Sequence, residues 1–154
     1  MATAESYVLF DLAGTAYAVP SRVVQRLEMV EQVTPVPNAP PFVDGVVFSR
    51  GQVVPAVNLR RRFGFDRAAY DLKTRLIVVE HAGRAVGLIV DQAREFVAIP
   101  GDSIQPPPEG LAGTSGKYLS GVVTFNDRVV LILDVAEVVN HAAGQPPAAN
   151  PPAP

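Results

Sequence analysis

The sequence contains no cysteine. Disulfide staples and thiolate metal sites are therefore excluded, and a reducing compartment is compatible with the chain. Tryptophan is also absent and only four tyrosines are present, which is little material for an aromatic groove that reads proline-rich peptides. Histidine occurs twice, at His81 and His141. No serine stands in a nucleophile-elbow motif, no carboxylate pair has diagnostic spacing, and no glycine loop is built to cradle phosphate. Excess positive charge is lacking too: 13 Lys and Arg stand against 15 Asp and Glu, giving a net charge of −2 and a pI near 5.6. That balance argues against a nucleic-acid binder, which needs a basic stripe to displace counterions. No run approaches the roughly 20 apolar residues of a membrane span. The opening MATAESYVLFDL has neither the basic start nor the long apolar core of a signal peptide. The expectation is a soluble cytoplasmic protein that uses no metal or cofactor and makes no direct membrane insertion.

What is present is apolar and punctuated. Of 154 residues, 48% are hydrophobic and 18% charged, enough for one compact domain or two very small barrels sharing a core. Short β-branched runs flank turn residues four times. Tyr7–Leu12 and Tyr17–Val19 surround Ala13-Gly14-Thr15, and Gly45–Phe48 and Gln52–Val57 surround Arg50-Gly51. Leu76–Glu80 and Ala85–Val90 surround Ala82-Gly83, and Leu119–Phe125 and Arg128–Leu133 surround Asn126-Asp127. Glycine, Asn and Asp accept the positive φ of tight turns, so each pair predicts a hairpin. Val24–Val30 and Glu95–Ile99 bring the expected total to about ten strands, a spacing typical of closed β structure. Runs such as LIVV do not alternate, which predicts strands packed on both faces.

Helices are few. Ser21 is expected to cap a turn over Arg22–Gln25; Leu59–Phe63 should end at Gly64 as a C′ glycine; Asp134 should cap Val135–His141. Pro35–Pro41 and Pro106–Pro108 read as extended connectors. Gly110–Gly116 reads as a mobile loop, and residues 142–154, rich in Ala and Pro, as a disordered tail. The stretches 45–57 and 119–133 both carry Gly-Val-Val near their start, turn, and return through an apolar run, which suggests a weak internal repeat.

Arg50 is the leading binding candidate. A guanidinium at a hairpin tip beside glycine can donate several hydrogen bonds to a partner's carboxylates or carbonyls. The Arg60-Arg61-Arg62 run reads as a solvated helix face rather than an anion site. Asp91 and Asp134 follow apolar strands and are expected to accept backbone hydrogen bonds or cap a helix.

These pieces resemble, in order and over about Tyr7 to Val139, the CheW-like domain family of bacterial chemosensory adaptors. Pro41-Phe42-Val43-Asp44-Gly45-Val46 resembles its PxFxxGV entry. Arg50-Gly51 with Pro55-Ala56-Val57-Asn58-Leu59-Arg60 resembles its RGxxxPVxDLR core. Val86 to Asp91 is similar to its VGxxVD strand, Ile104 to Pro108 to its IxPxP corner, and Tyr118 to Val122 with Ile132-Leu133-Asp134 to its closing hairpin. The resemblance implies a mainly β fold of two packed five-stranded SH3-like β-barrels with a few short helices. It would form one domain over 6–140, with barrel parts of roughly 6–70 and 71–140 that exchange strands or helices. It implies a non-catalytic adaptor, monomeric when alone and recruited to receptor arrays at the inner membrane. Its partners would be the cytoplasmic tip of methyl-accepting receptors and the regulatory domain of a CheA-type histidine kinase. By the same resemblance Arg50, Val24 and Gly45 lie at the receptor contact, and Gln105, Glu109 and Leu111 at the kinase or ring contact. The chain departs from the usual pattern at Arg26, Phe48-Ser49, Asn58 and Gln105. Two rival readings follow: an accessory that binds receptor without kinase, and an SH3-like peptide-binding module.

Overall fold

A computed structural model describes residues 4–108 and 116–144, so Glu109, Leu111, the rest of the 110–115 loop and the tail from 145 lie outside the described residues. The described residues form ten strands and two short α-helices: β1 Ala4–Leu12, β2 Thr15–Pro20, β3 Val24–Met29, β4 Val43–Ser49, β5 Gln52–Asn58, α1 Leu59–Arg62, β6 Arg75–His81, β7 Arg84–Val90, β8 Gln92–Pro100, β9 Leu119–Phe125, β10 Arg128–Leu133 and α2 Val135–Gly144. The four hairpins fall where the turn residues place them. Ala13, Arg50, Ala82, Asn126 and Asp127 all carry positive φ, as two-residue hairpin turns require.

Some boundaries differ from expectation. The turn after β2 is a single 3₁₀ turn, Ser21–Val23, and the Ser21 side chain does not cap it, because Pro20 occupies the cap position. Strand β8 starts three residues earlier than the expected Glu95, since its pairing with β1 runs on to Asp11 opposite Gln92. Helix α2 extends to Gly144. Helix α1 ends as its sequence predicts: Gly64 takes φ +87, and the Gly64 and Phe65 N–H groups bond the Arg61 and Arg60 carbonyls at 3.1 and 2.7 Å. That is a Schellman stop.

The strands make two five-stranded sheets, ordered β8-β1-β2-β10-β9 and β3-β6-β7-β5-β4. The chain therefore trades strands across residue 70. Barrel 1 takes β1 and β2 from the first half and β8, β9 and β10 from the second, and barrel 2 takes the converse set. Each has one parallel pair, β2 with β10 and β5 with β7. Each closes the same way. The segment leaving the edge strand returns to bridge the opposite edge, Thr34 to Val46 in barrel 2 and Gln105 to Val122 in barrel 1. Both bridges carry paired backbone hydrogen bonds of 2.8–2.9 Å.

The Gly-Val-Val repeat is explained at these closures. Gly45 precedes Val46, and a Cβ there would lie 2.1 Å from the Thr34 carbonyl oxygen. Gly121 precedes Val122, and a Cβ there would lie 2.5 Å from the Ile104 methyl. The returning chain passes so close that a side chain does not fit.

Packing accounts for the unalternating strands. In β6, Leu76 and Val78 face the interior of barrel 2, while Ile77 and Val79 face a larger cluster shared by both barrels. In β1, Tyr7 and Leu9 fill barrel 1, while Val8, Phe10 and Leu12 enter the shared cluster. Burial on both faces demands apolar residues at successive positions. The junction is tied by polar groups as well. Asp91, between β7 and β8, receives a two-pronged grip from Arg60 at 2.8 and 2.7 Å and a 2.9 Å bond from the Ala13 N–H. The Arg62 guanidinium lies 4.1 Å from the Phe42 ring centre and 4.9 Å from that of Tyr118, and its Nε–H donates to the Val138 carbonyl at 3.0 Å. Burial pushes the Arg62 guanidinium's pKa down from its ordinary value. Two of the three consecutive arginines are thus internal ties and not the solvated helix face expected of the run, because their side chains reach back to Asp91 and across Phe42 and Tyr118; Arg61 alone of the three is exposed. No described helix is long and apolar enough to cross a membrane.

Candidate functional site

The β4–β5 hairpin presents the most distinctive surface. Arg50 occupies the first position of its two-residue turn, with φ +52, and Gly51 follows with φ +80. Such a turn aligns the strand twist and leaves the arginine at the apex. Arg50 is exposed, and among the described residues its guanidinium has no hydrogen-bond partner. Directly behind it, Phe48 and Val53 sit opposite each other across the hairpin with 77% and 66% of their surfaces in solvent. An exposed cation thus stands beside a paired, solvent-exposed apolar patch. An open groove of about 640 Å³ runs from the tip between β4 and the segment after β3, lined by Glu28, Met29, Glu31, Thr34, Phe48 and Arg50.

Beneath the tip lies a closed polar triangle. Ser49, only 6% exposed, donates its hydroxyl to Glu28 Oε2 at 2.6 Å and accepts from Arg26 Nη2 at 2.8 Å. Arg26 Nε–H donates to the same Glu28 oxygen at 2.8 Å. The Ser49 hydrogen bond, the Arg26 hydrogen bond and the charges of Arg26 and Arg50 outweigh burial and hold the Glu28 carboxyl below its usual range.

The other candidates lie apart. Val24 opens β3, pairs with Val79, and packs half-buried against the shared core. Gly45 is buried at the barrel 2 closure, where its role in the fold is the close passage described above. Gln105 is at the barrel 1 closure: its backbone makes the bridge to Val122 and its residue surface is exposed. The hairpin thus gathers Arg50 and Gly45 on one strand pair, Val24 starts the neighbouring edge strand, and Gln105 belongs to the other barrel.

Sequence reasoning missed the triangle and the Phe48–Val53 pair. A signal existed for both. In the run Val46-Val47-Phe48-Ser49, alternation puts the phenylalanine outside and the serine inside, the reverse of their ordinary preference.

Elsewhere the polar groups serve the fold. Asp44 accepts from Asn58 Nδ2 at 2.9 Å and from the Tyr70 hydroxyl, and pairs with Arg67 at 2.8 Å, which pins the loop after α1. Burial, followed by the Asp44 hydrogen bond, pushes the Tyr70 hydroxyl up. Asn58 caps α1 by accepting from the Arg61 N–H at 3.3 Å, and Asp134 caps α2 by accepting from the Glu137 N–H at 3.4 Å. Among the described residues no group of three or more His, Cys, Asp or Glu side chains could hold a metal ion.

Comparison with known proteins adds the following. A model of the CheW-like domain matches residues 6–143. Chemotaxis protein CheW of Helicobacter pylori is 33% identical over 135 residues, covering 86% of this chain and 80% of that protein. Chemotaxis protein CheW of Klebsiella aerogenes is 29% identical over 136 residues, covering 88% and 82%. Protein FrzA of Myxococcus xanthus is 28% identical over 140 residues, covering 90% and 87%. The crystal structure of the scaffolding protein TtCheW from Thermoanaerobacter tengcongensis superposes with a TM-score of 0.80 at 29% identity, covering 86% of this chain and 90% of that one.

Proposed function

Because the chain belongs to the CheW-like domain family, we propose that it is a non-catalytic cytoplasmic adaptor coupling a methyl-accepting chemotaxis-type receptor to a CheA-type histidine kinase at the inner membrane. The observation that carries this reading is the packing, on one shared core, of two barrels of like topology whose matching hairpins differ, one with an exposed Phe48 behind an Arg50-Gly51 turn and the other with Thr124 behind Asn126-Asp127. A body with two different faces can hold two different partners at fixed distance, and contacts that are not self-complementary can alternate units around a ring. Arg50 makes the receptor contact. Val24 shapes its edge from the start of β3, and Gly45 fixes the strand that carries it. The corner that begins at Gln105 and includes Glu109 and Leu111 supplies a contact to the kinase or to the ring. Phe48 and Val53 offer the kinase's regulatory domain a second, apolar face.

Signal passes through such an adaptor only if receptor state alters a contact it makes. The test is co-sedimentation of a receptor cytoplasmic fragment with the cognate kinase. Complex formation and kinase activation that both require this chain are expected. Failure of the kinase to sediment with receptor in its presence would overturn the coupling role. The unusual Arg26 on β3 favours a second reading, an accessory that occupies receptor without activating kinase. Sedimentation of receptor with the chain but no rise in kinase activity is its signature.

A further inference from the structure

The ten strands pair off one to one: β1, β2, β3, β4 and β5 correspond to β6, β7, β8, β9 and β10, in register and including both bulges. Departures from this internal symmetry show where the chain has been specialised. At most inward positions apolar residues match apolar residues. The seam of barrel 2 breaks the match. By the shared register, Glu28 opposite Leu76 corresponds to Val97 opposite Tyr7, and Ser49 before the β4–β5 turn corresponds to Phe125 before the β9–β10 turn. Val97 and Phe125 pack against the apolar cluster of barrel 1. In barrel 2 the same two places carry a carboxylate and a hydroxyl, and Arg26 joins them.

Position makes this consequential. Barrel 2 is closed by backbone at Thr34–Val46. Beyond that bridge, Val47–Ser49 are paired on one side only, to β5. Val47 is anchored in the apolar interior of barrel 2; past it, the tip is held to β3 by the Arg26–Glu28–Ser49 triangle, which grips the last strand residue from across the seam.

We propose that Arg26, Glu28 and Ser49 are positioning residues that staple the β4–β5 tip to β3 and so set where Arg50 and Phe48 point. The staple consists of short side-chain hydrogen bonds among Arg26, Glu28 and Ser49 with a longer 3.5 Å bond from Arg26 Nη2 to the Ser49 carbonyl, and it lies outside the apolar cluster of barrel 2, so it orders the tip without being needed for the core. Its consequence for binding rests on the assignment of Arg50 to the receptor contact; its consequence for tip order does not. The lowered Glu28 pKa agrees with a carboxylate that keeps its charge, and its two hydrogen bonds, at neutral pH. The groove of about 640 Å³ beside the tip gives the hairpin room to move once released.

The experiment compares the full chain with Ser49→Ala, Ser49→Thr and Glu28→Gln. It reads backbone amide order at residues 47–53 by NMR relaxation, thermal midpoint, and affinity for a receptor cytoplasmic fragment. Ser49→Ala and Glu28→Gln are expected to loosen the tip amides, leave the rest of barrel 2 ordered, and weaken receptor binding about tenfold, the loss typical of a hydrogen bond to a charged group. Ser49→Thr keeps the hydroxyl and is expected to restore tip order. In an Arg50→Ala background, Ser49→Ala should cost no further affinity, because the staple acts through Arg50. Tip amides that stay ordered in Ser49→Ala overturn the inference. A loosened tip with receptor affinity unchanged in Ser49→Ala and in Arg50→Ala leaves the staple standing and removes Arg50 from the receptor contact. If Ser49→Ala fails to fold, Glu28→Gln decides by the same amide readout, and a globally unfolded Glu28→Gln also overturns it, since a staple confined to the tip cannot unfold the core.

Discussion

Barrel 1 and barrel 2 share strand order, closure and bulges, yet they are finished differently. Barrel 1 ends its second hairpin in Asn126-Asp127 and fills its seam with Val97 and Phe125. Barrel 2 ends the matching hairpin in Arg50-Gly51, fills its seam with a polar triangle, and exposes Phe48 where barrel 1 has Thr124. Glycine at the closure is common to both because both chains pass too close for a Cβ. Features that the two barrels share are explained by folding; those held by one alone need a reason outside it. By that reasoning the β4–β5 hairpin is the one we propose as the partner surface, and the β9–β10 hairpin is its plain counterpart.

The largest effect should come from testing the shared feature unequally. Gly45 has φ +148 and a backbone oxygen in the way, whereas Gly121 is obstructed chiefly by a side-chain methyl. Gly45→Ala is expected to destabilise by about 3 kcal/mol or more, and Gly121→Ala by roughly half as much, since a methyl can yield where backbone cannot. Chemical denaturation of the two variants gives the comparison, and equal losses would show that the closures are mechanically alike. The next effect concerns the unshared apolar pair. Replacing Phe48 and Val53 together by serine should leave the denaturation midpoint nearly unchanged, because both are exposed, while lowering affinity for the kinase regulatory domain about tenfold. The matching change at Val129 in barrel 1 should alter neither.

A smaller effect tests the junction that keeps the barrels together. Burial alone would raise the Asp91 carboxyl, but the Arg60 and Ala13 hydrogen bonds and the Arg60 charge hold it below its ordinary 3.8. A carboxylate whose folded pKa is depressed contributes its full stability above the unfolded value and loses it as pH falls through the folded one. Thermal midpoint should therefore drop as pH falls below about 4. Asp91→Asn should cost about 1 kcal/mol at neutral pH, a modest figure because the pair is partly solvated, and should flatten part of that acid slope. A slope identical in the variant would exclude Asp91 as its source.

Much of this architecture was legible from turn chemistry. Arg50-Gly51, Ala82-Gly83, Ala13-Gly14 and Asn126-Asp127 marked the hairpins, because few residues accept left-handed backbone, and unalternating runs marked strands buried on both faces. The Gly-Val-Val repeat was visible as a pattern, but its cause was not. Only the folded chain brings Thr34 against Gly45 and Gln105 against Gly121. Strand exchange was similarly open, since a hairpin's sequence fixes its own register and not the sheet it joins. At the site, Arg50 stood out by being a cation where a turn needs none. Glu28 and Ser49 did not, because a carboxylate and a hydroxyl read as surface until tertiary contacts close around them.

The reading of this chain as a coupling protein turns most directly on Arg50. Titration of a receptor cytoplasmic fragment with the native chain and with Arg50→Glu, at matched thermal midpoints, is the decisive measurement. Affinity lower by at least about tenfold in the variant is the predicted result, as expected when a contact cation is reversed. Superimposable binding curves would contradict it and move the partner surface elsewhere on the molecule.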